Sequence, residues 1–139
     1  MTDLYAWRAG FCGDIIFASG AIRQIRDQGR FEEITFGTWS AYSDAISANA
    51  NIDEHVHSDS YQVRDGCVSW EISHENYRKT RPDAMQLYWG EQLLRQAFEY
   101  GLLDHVEPDS RPDLYLFGSK PTVPSRLALL SIYSTNGVG

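Results

Sequence analysis

Leu4-Tyr5-Ala6-Trp7-Arg8-Ala9, followed by Gly10-Phe11-Cys12-Gly13-Asp14-Ile15-Ile16, is the stretch whose reading decides the fold. Leu4 to Ala9 reads as a strand. Gly10 and Gly13 then punctuate a tight loop, and beyond it Ile15, Ala18, Ile22 and Ile25 fall on one face of a helix that Gly29 stops. Working outward, Glu33 to Thr38 is a second short strand, and Ser40 can cap a helix with Tyr42, Ala45 and Ile46 facing inward. Asp53 to His57 and Cys67 to Ile72 are further strands, separated by a polar stretch with Asp59, Asp65 and Gly66. Strands that alternate with helices predict an α/β fold with a parallel sheet flanked by helices, because a right-handed crossover needs a covering segment to return the chain to the same edge.

In the second half the spacing predicts fewer elements. His74 to Pro82 is too polar for core and reads as a long, partly basic loop. Asp83 can cap the next helix, with Gln86 as its capping-box partner and Leu87, Leu94 and Phe98 as its buried stripe before Gly101. Pro108, Pro112, Pro121 and Pro124 flank a short strand, Asp113 to Phe117, and Lys120 to Ser125 has the composition of a linker. Leu127 to Tyr133 is a strongly apolar strand that leads into Ser134-Thr135-Asn136-Gly137-Val138-Gly139. The expected division is therefore a domain over residues 1–125, with 126–139 either opening a second α/β domain or completing the first sheet.

Composition narrows the class. The 139 residues, 42% hydrophobic and 22% charged, suit one globular core. A net charge of -7 and a pI near 4.9 argue against duplex nucleic acid, which is bound by basic surfaces. Arg23, Arg26 and Arg30 nevertheless cluster on one segment and Arg78, Lys79 and Arg81 on another, leaving room for a local anion site beside the plainer reading of solvated faces. Met-Thr-Asp-Leu-Tyr is no signal sequence, and no apolar run approaches the roughly 20 residues that span a bilayer. The expectation is a cytoplasmic chain. Cys12 and Cys67 form no Cys-x-x-Cys pair and are expected as reduced thiols.

Three chemistries compete for the glycine loop, which lies where ligands bind in open α/β sheets, outside the carboxyl ends of strands. A phosphate-cradling loop ends in Gly-Lys-Ser or Gly-Lys-Thr, but Gly13 is followed by Asp14. A dinucleotide site needs a Gly-x-Gly-x-x-Gly run and an acid near the end of the second strand, which here ends Phe36-Gly37-Thr38. The third makes Asp14 a general base that takes the proton from an acceptor hydroxyl as it attacks an activated sugar. Against it stands the plain role of an Asp complementing a helix N-terminus, worth about 0.3–1 kcal/mol. The residues alone favour that plain role.

The run Gly13-Asp14-Ile15-Ile16-Phe17-Ala18-Ser19-Gly20-Ala21-Ile22-Arg23-Gln24-Ile25-Arg26 resembles the opening of the heptosyltransferases, glycosyltransferase family nine. Glu33-Ile34-Thr35-Phe36 stands where that family has its second strand, and Asn49-Ala50-Asn51-Ile52-Asp53-Glu54-His55-Val56 is similar to its Asn-Pro-x-Ile-Asp-x-Val segment. Gly20 and Ala50 replace family prolines. The resemblance implies the N-terminal half of a GT-B fold, two Rossmann-like domains facing across a cleft. It implies Asp14 as catalytic base, with Gly10, Cys12 and Gly13 framing the acceptor. An inverting transfer follows, from a nucleotide-sugar donor to a glycan or lipid-linked acceptor of lipopolysaccharide type, with no metal or other cofactor and at most peripheral contact with the inner membrane. The donor is held mainly by a second domain, whose His-Pro-Gly loop and Lys-Trp-Pro meet only Ile132-Tyr133-Ser134-Thr135-Asn136-Gly137 here, so this polypeptide alone is expected to be inactive.

Other residues are weighed beside these. His55 and His57 share a strand face, but without a third ligand at metal spacing strand packing is the reading taken. His74, Glu75, Arg78, Lys79 and Arg81 could grip acceptor phosphates, since guanidinium groups match phosphate oxygens bidentately. Trp7 and Trp89 are expected in the core, whereas Trp39, just past a strand end, is a candidate for stacking on an acceptor sugar. The competing functional reading is a non-enzymatic Rossmann-like binding or assembly module, with a nucleotide-binding oxidoreductase third.

Overall fold

The chain runs β1 (Thr2–Arg8), α1 (Cys12–Asp27), β2 (Phe31–Thr38), a 3-10 turn (Ser40–Ala45), β3 (Glu54–His57), β4 (Cys67–Ile72), α2 (His74–Thr80), a second 3-10 turn (Pro82–Gln86) and α3 (Trp89–Glu99). This computed structural model describes residues 2–113, without the side chains of residues 42–44. The strands form one sheet in the order β3-β2-β1-β4 with every pairing parallel, the expected α/β Rossmann-like arrangement. Ala6 at its centre pairs with Phe36 on one side and Trp70 on the other.

Alternation divides the sheet into two faces. Leu4 and Ala6, with Ile34 and Phe36 of β2 and Trp70 and Ile72 of β4, join the main core with Ile15, Ala18, Ile22 and Ile25 of α1, the helical stripe expected from the sequence. Leu93, Leu94 and Ala97 of α3 complete that core, and α1 and α3 pack together. On the other face of β1 the rings of Tyr5 and Trp7 meet Tyr61, whose centroid lies 6.5 Å from Tyr5 and 6.1 Å from Trp7. Arg64 sits over the Tyr5 ring, and the Trp7 indole donates to the Ser58 carbonyl. The return from β3 to β4 thus crosses this face as an irregular segment rather than as a helix.

Several local expectations are corrected. His74–Thr80 is a helix, not a loop: the Ser73 hydroxyl accepts from the Asn76 N–H, Glu75 lies in the first turn, and Arg78 and Lys79 lie in the last. Asp83 and Gln86 belong to the separate 3-10 turn, so neither caps α3, which begins at Trp89 after Tyr88. Leu94 is buried as expected, but Phe98 is 47% exposed and Trp89 40% exposed, because α3 turns Leu93 and Ala97 inward instead. Trp7 is buried as expected. The helix expected after Ser40 is a 3-10 turn that still buries Ile46 just beyond it.

After α3 the chain runs back along the outside of α1. Gln28 donates to the His105 carbonyl, Gln24 to the carbonyls of Glu107 and Asp109, and Arg23 pairs with Asp113, whose N–H donates to Ser19. The rest of the expected strand Asp113 to Phe117, the linker, the strand Leu127 to Tyr133, its glycine loop and the boundary near residue 125 lie outside the described residues.

Candidate active site at the β1–β4 crevice

The order β3-β2-β1-β4 places a topological switch point between β1 and β4: the chain leaves β1 toward β2, while β4 is reached by crossing back. Loops that depart in opposite directions open a crevice at the carboxyl ends of such strands. Here the crevice is a cleft of about 240 Å³ walled by Arg8, Gly10, Asp14, Trp39, Glu71 and Glu75, among others.

Asp14 reaches it through a local device. Gly10 adopts φ +123°, a conformation that L side chains rarely take, and α1 starts directly after Phe11. Asp14, in the first turn, folds back so that its Oδ2 accepts the Phe11 N–H at 3.0 Å, one half of a capping box whose other half a phenylalanine cannot supply. A Cβ at Gly10 would lie 2.7 Å from that Oδ2. The plain helix-terminal role is therefore present. The side chain is also 23% exposed and forms part of the cleft wall.

Arg8, the last residue of β1, completes the arrangement. Only 3% exposed, it donates from Nη1 to the Ile72 carbonyl at 3.1 Å and from Nη2 to His74 Nδ1 at 2.7 Å, and Nη2 lies 3.5 Å from Asp14 Oδ1. Its Nε is buried with no hydrogen-bond partner. Because a guanidinium can only donate, His74 Nδ1 must accept; the ring proton then resides on Nε2, 3.3 Å from the Trp89 carbonyl. Burial pushes the His74 imidazole down from its ordinary value, and the Arg8 charge pushes the same way. Burial also draws the Arg8 guanidinium down, opposed by Asp14 and Glu75. Thr38 ties β2 to this corner by donating to the Arg8 carbonyl at 2.8 Å.

The charge at the cleft is unbalanced: Asp14, Glu71 and Glu75 stand in its walls against the single guanidinium of Arg8, which makes its potential negative. Asp14, Gly10 and Trp39 are brought together, with the Trp39 indole donating to the Asp59 carbonyl. Cys12 and Gly13 are exposed in the first turn of α1 and do not wall the cleft. The expected phosphate grip on α2 is otherwise employed: Arg78 donates to Gln92 and lies over the Trp89 ring, Arg81 pairs with Glu99, and neither these nor the exposed Lys79 wall the cleft. His55 Nε2 lies 2.8 Å from the Ile46 carbonyl, and among the described residues no three His, Cys, Asp or Glu side chains converge as a metal site would need.

Arg8, Glu71 and Ser73 were not singled out by the sequence reading. For Arg8 the available signal was a lone cation directly after the run Leu4 to Trp7, since a charge is buried only where a partner waits. No helix among the described residues is long and apolar enough to cross a membrane. No family model matches the chain, and no curated protein or solved structure matches it significantly.

Proposed function

We propose that the chain is the acceptor-side part of an inverting, heptosyltransferase-like glycosyltransferase, with Asp14 as its base. The observation that carries this reading is a carboxylate held at a β1–β4 switch-point cleft by a glycine turn and a buried arginine. In the reaction, the acceptor hydroxyl gives its proton to Asp14 while its oxygen forms the new bond to the anomeric carbon. The bond from that carbon to the nucleotide diphosphate breaks on the opposite face, and the diphosphate leaves with the electron pair. Oδ2 accepts the Phe11 N–H at 3.0 Å, whereas Oδ1 has only the longer 3.5 Å contact with the Arg8 guanidinium, so Oδ1 is the atom to receive the proton. The donor is a nucleotide sugar held mainly by a second nucleotide-binding unit, and the acceptor is a glycan or lipid-linked glycan.

Asp14→Asn is the sharpest test, because its amide oxygen can still accept the Phe11 N–H while the base is gone. Transfer from a nucleotide-sugar donor, assayed in the polypeptide that carries this chain, should fall by about 10²–10⁴-fold. Unfolding is followed in parallel, so that lost structure is not read as lost chemistry. Undiminished transfer by a folded variant ends the proposal. A specific observation favours a second reading, a non-enzymatic binding module: both oxygens of Asp14 already have structural partners in Phe11 and Arg8. That module would keep partner binding in the same variant.

A further inference from the structure

A second cavity, of about 520 Å³, lies between β4, α2 and the C-terminal end of α3. It is distinct from the Asp14 cleft but adjoins it, since Glu71 and Ser73 stand in the walls of both. Its size falls within the range of about 300–1,000 Å³ usual for small-molecule sites. Its wall mixes aromatic rings with polar side chains. Tyr61 and Tyr100 bring aromatic rings, Ser69 and Thr80 bring hydroxyls, and Arg81 brings a guanidinium 3.4 Å from the Glu99 carboxylate. Tyr77, 5% exposed, closes the inner wall with a phenol that burial, and then the neighbouring Glu99 carboxylate, push up to about 12.

Two carboxylates, Glu71 and Glu99, outnumber the one guanidinium, so a phosphate or other anion is disfavoured here as it is at Asp14. What fits is a molecule with flat apolar faces and an edge of hydroxyl groups. Aromatic rings meet the faces, while a paired guanidinium and carboxylate offer adjacent donors and acceptors to neighbouring hydroxyls. The geometry points to a saccharide subsite that holds a neutral pyranose unit, one residue along the glycan from the sugar whose hydroxyl meets Asp14. Its part in acceptor selection rests on the glycosyltransferase reading; its capacity to bind sugar does not.

The test is a titration of the full chain with methyl pyranosides of the gluco, galacto, manno and heptose series, and separately with inorganic phosphate, mapped by backbone amide shifts. At least one pyranoside should move the amides of Ser73, Asn76 and Tyr100 saturably, and phosphate should not. Tyr100→Ala and Arg81→Gln, both at exposed positions, should each weaken that binding by about tenfold, the equivalent of one charged hydrogen bond or one ring contact. No saturable shift at millimolar sugar, shifts elsewhere only, affinity unmoved in both folded variants, or a stronger response to phosphate would each overturn the subsite. Failure here leaves the Asp14→Asn result standing, and undiminished transfer in Asp14→Asn leaves sugar binding in this cavity standing, so the two ideas fall separately.

Discussion

Gly10 and Gly13 flank the same turn yet carry different burdens. At Gly10 the backbone sits at φ +123° and a Cβ would press on the Asp14 carboxylate, so Gly10→Ala should cost about 1–3 kcal/mol and push Asp14 off the Phe11 N–H. Gly13 has nothing within 4 Å of where its Cβ would stand and lies inside α1, so Gly13→Ala should stabilise by up to about 1 kcal/mol. Denaturant unfolding of the two variants measures both signs; a Gly13→Ala variant destabilised as much as Gly10→Ala would contradict the assignment of the turn to Gly10 alone. Glycine spacing in the sequence could not separate these two residues, because both stand where a loop is expected. The difference is a backbone angle that only the entry of α1 defines. Asp14 itself was legible as a residue at a helix entrance below a strand. Arg8 was not, since its burial depends on Ile72 and His74, more than sixty positions away.

Among the elements, the first half was legible because β1, α1, β2 and β4 each show their own periodicity. α2 was hidden because it buries only His74 and Tyr77 and draws much of its support from side chains on α3. Gln92 accepts from Arg78, and Gln96 accepts from Trp70 and donates to the Ser73 carbonyl, so two buried glutamines fasten α2 and β4 to α3. The signal that could have revealed α2 was the run from Ser73 to Asn76, a cap with Glu75 in the first turn. Ser73→Ala should accordingly cost about 1 kcal/mol and lower the protection of the α2 amides from hydrogen exchange. α3 poses the opposite case: Asp83 and Gln86 form a capping pattern in the sequence, but they lie in a separate turn without a side-chain cap, and Asp83 pairs with Arg95 instead. Its own constraint is Gly90, where a Cβ would run into the Ser110 carbonyl oxygen. Gly90→Ala should therefore cost about 1–3 kcal/mol by prising the 104–113 segment off the helices, against the gain in propensity that Ala normally brings to a helix. A stabilised Gly90→Ala variant would show that this segment does not lie against α3.

At the scale of the whole molecule the sheet and its crevice followed from alternation and crossover handedness. What the pattern could not supply was the charge balance at the crevice, because its members come from β1, α1, β4 and α2. That balance also sets the response to acid. Folded His74 is held neutral, with burial and then Arg8 lowering its pKa below 6.5, whereas an unfolded histidine titrates near about 6.5. A basic group with a depressed folded pKa takes up its proton more readily when unfolded. Stability is therefore full above pH 6.5 and declines as the pH falls from 6.5 toward the lowered folded value, by at most about 1.4 kcal/mol per pH unit. The net charge of -7 shrinks over the same window and relieves self-repulsion, so any background trend runs the other way. At Asp53 burial pushes the carboxyl up, but the Ile34 N–H and Arg26 outweigh it and hold the group below its usual value, so its contribution is lost only at lower pH. His74→Asn keeps an oxygen to accept from Arg8 but cannot titrate. Urea unfolding between pH 8 and pH 5 should therefore show a falling limb in the native chain and little or none in this variant. An identical limb in both would mean that the Arg8–His74 contact does not keep the imidazole neutral, and the hydrogen-bond order of the crevice would have to be redrawn.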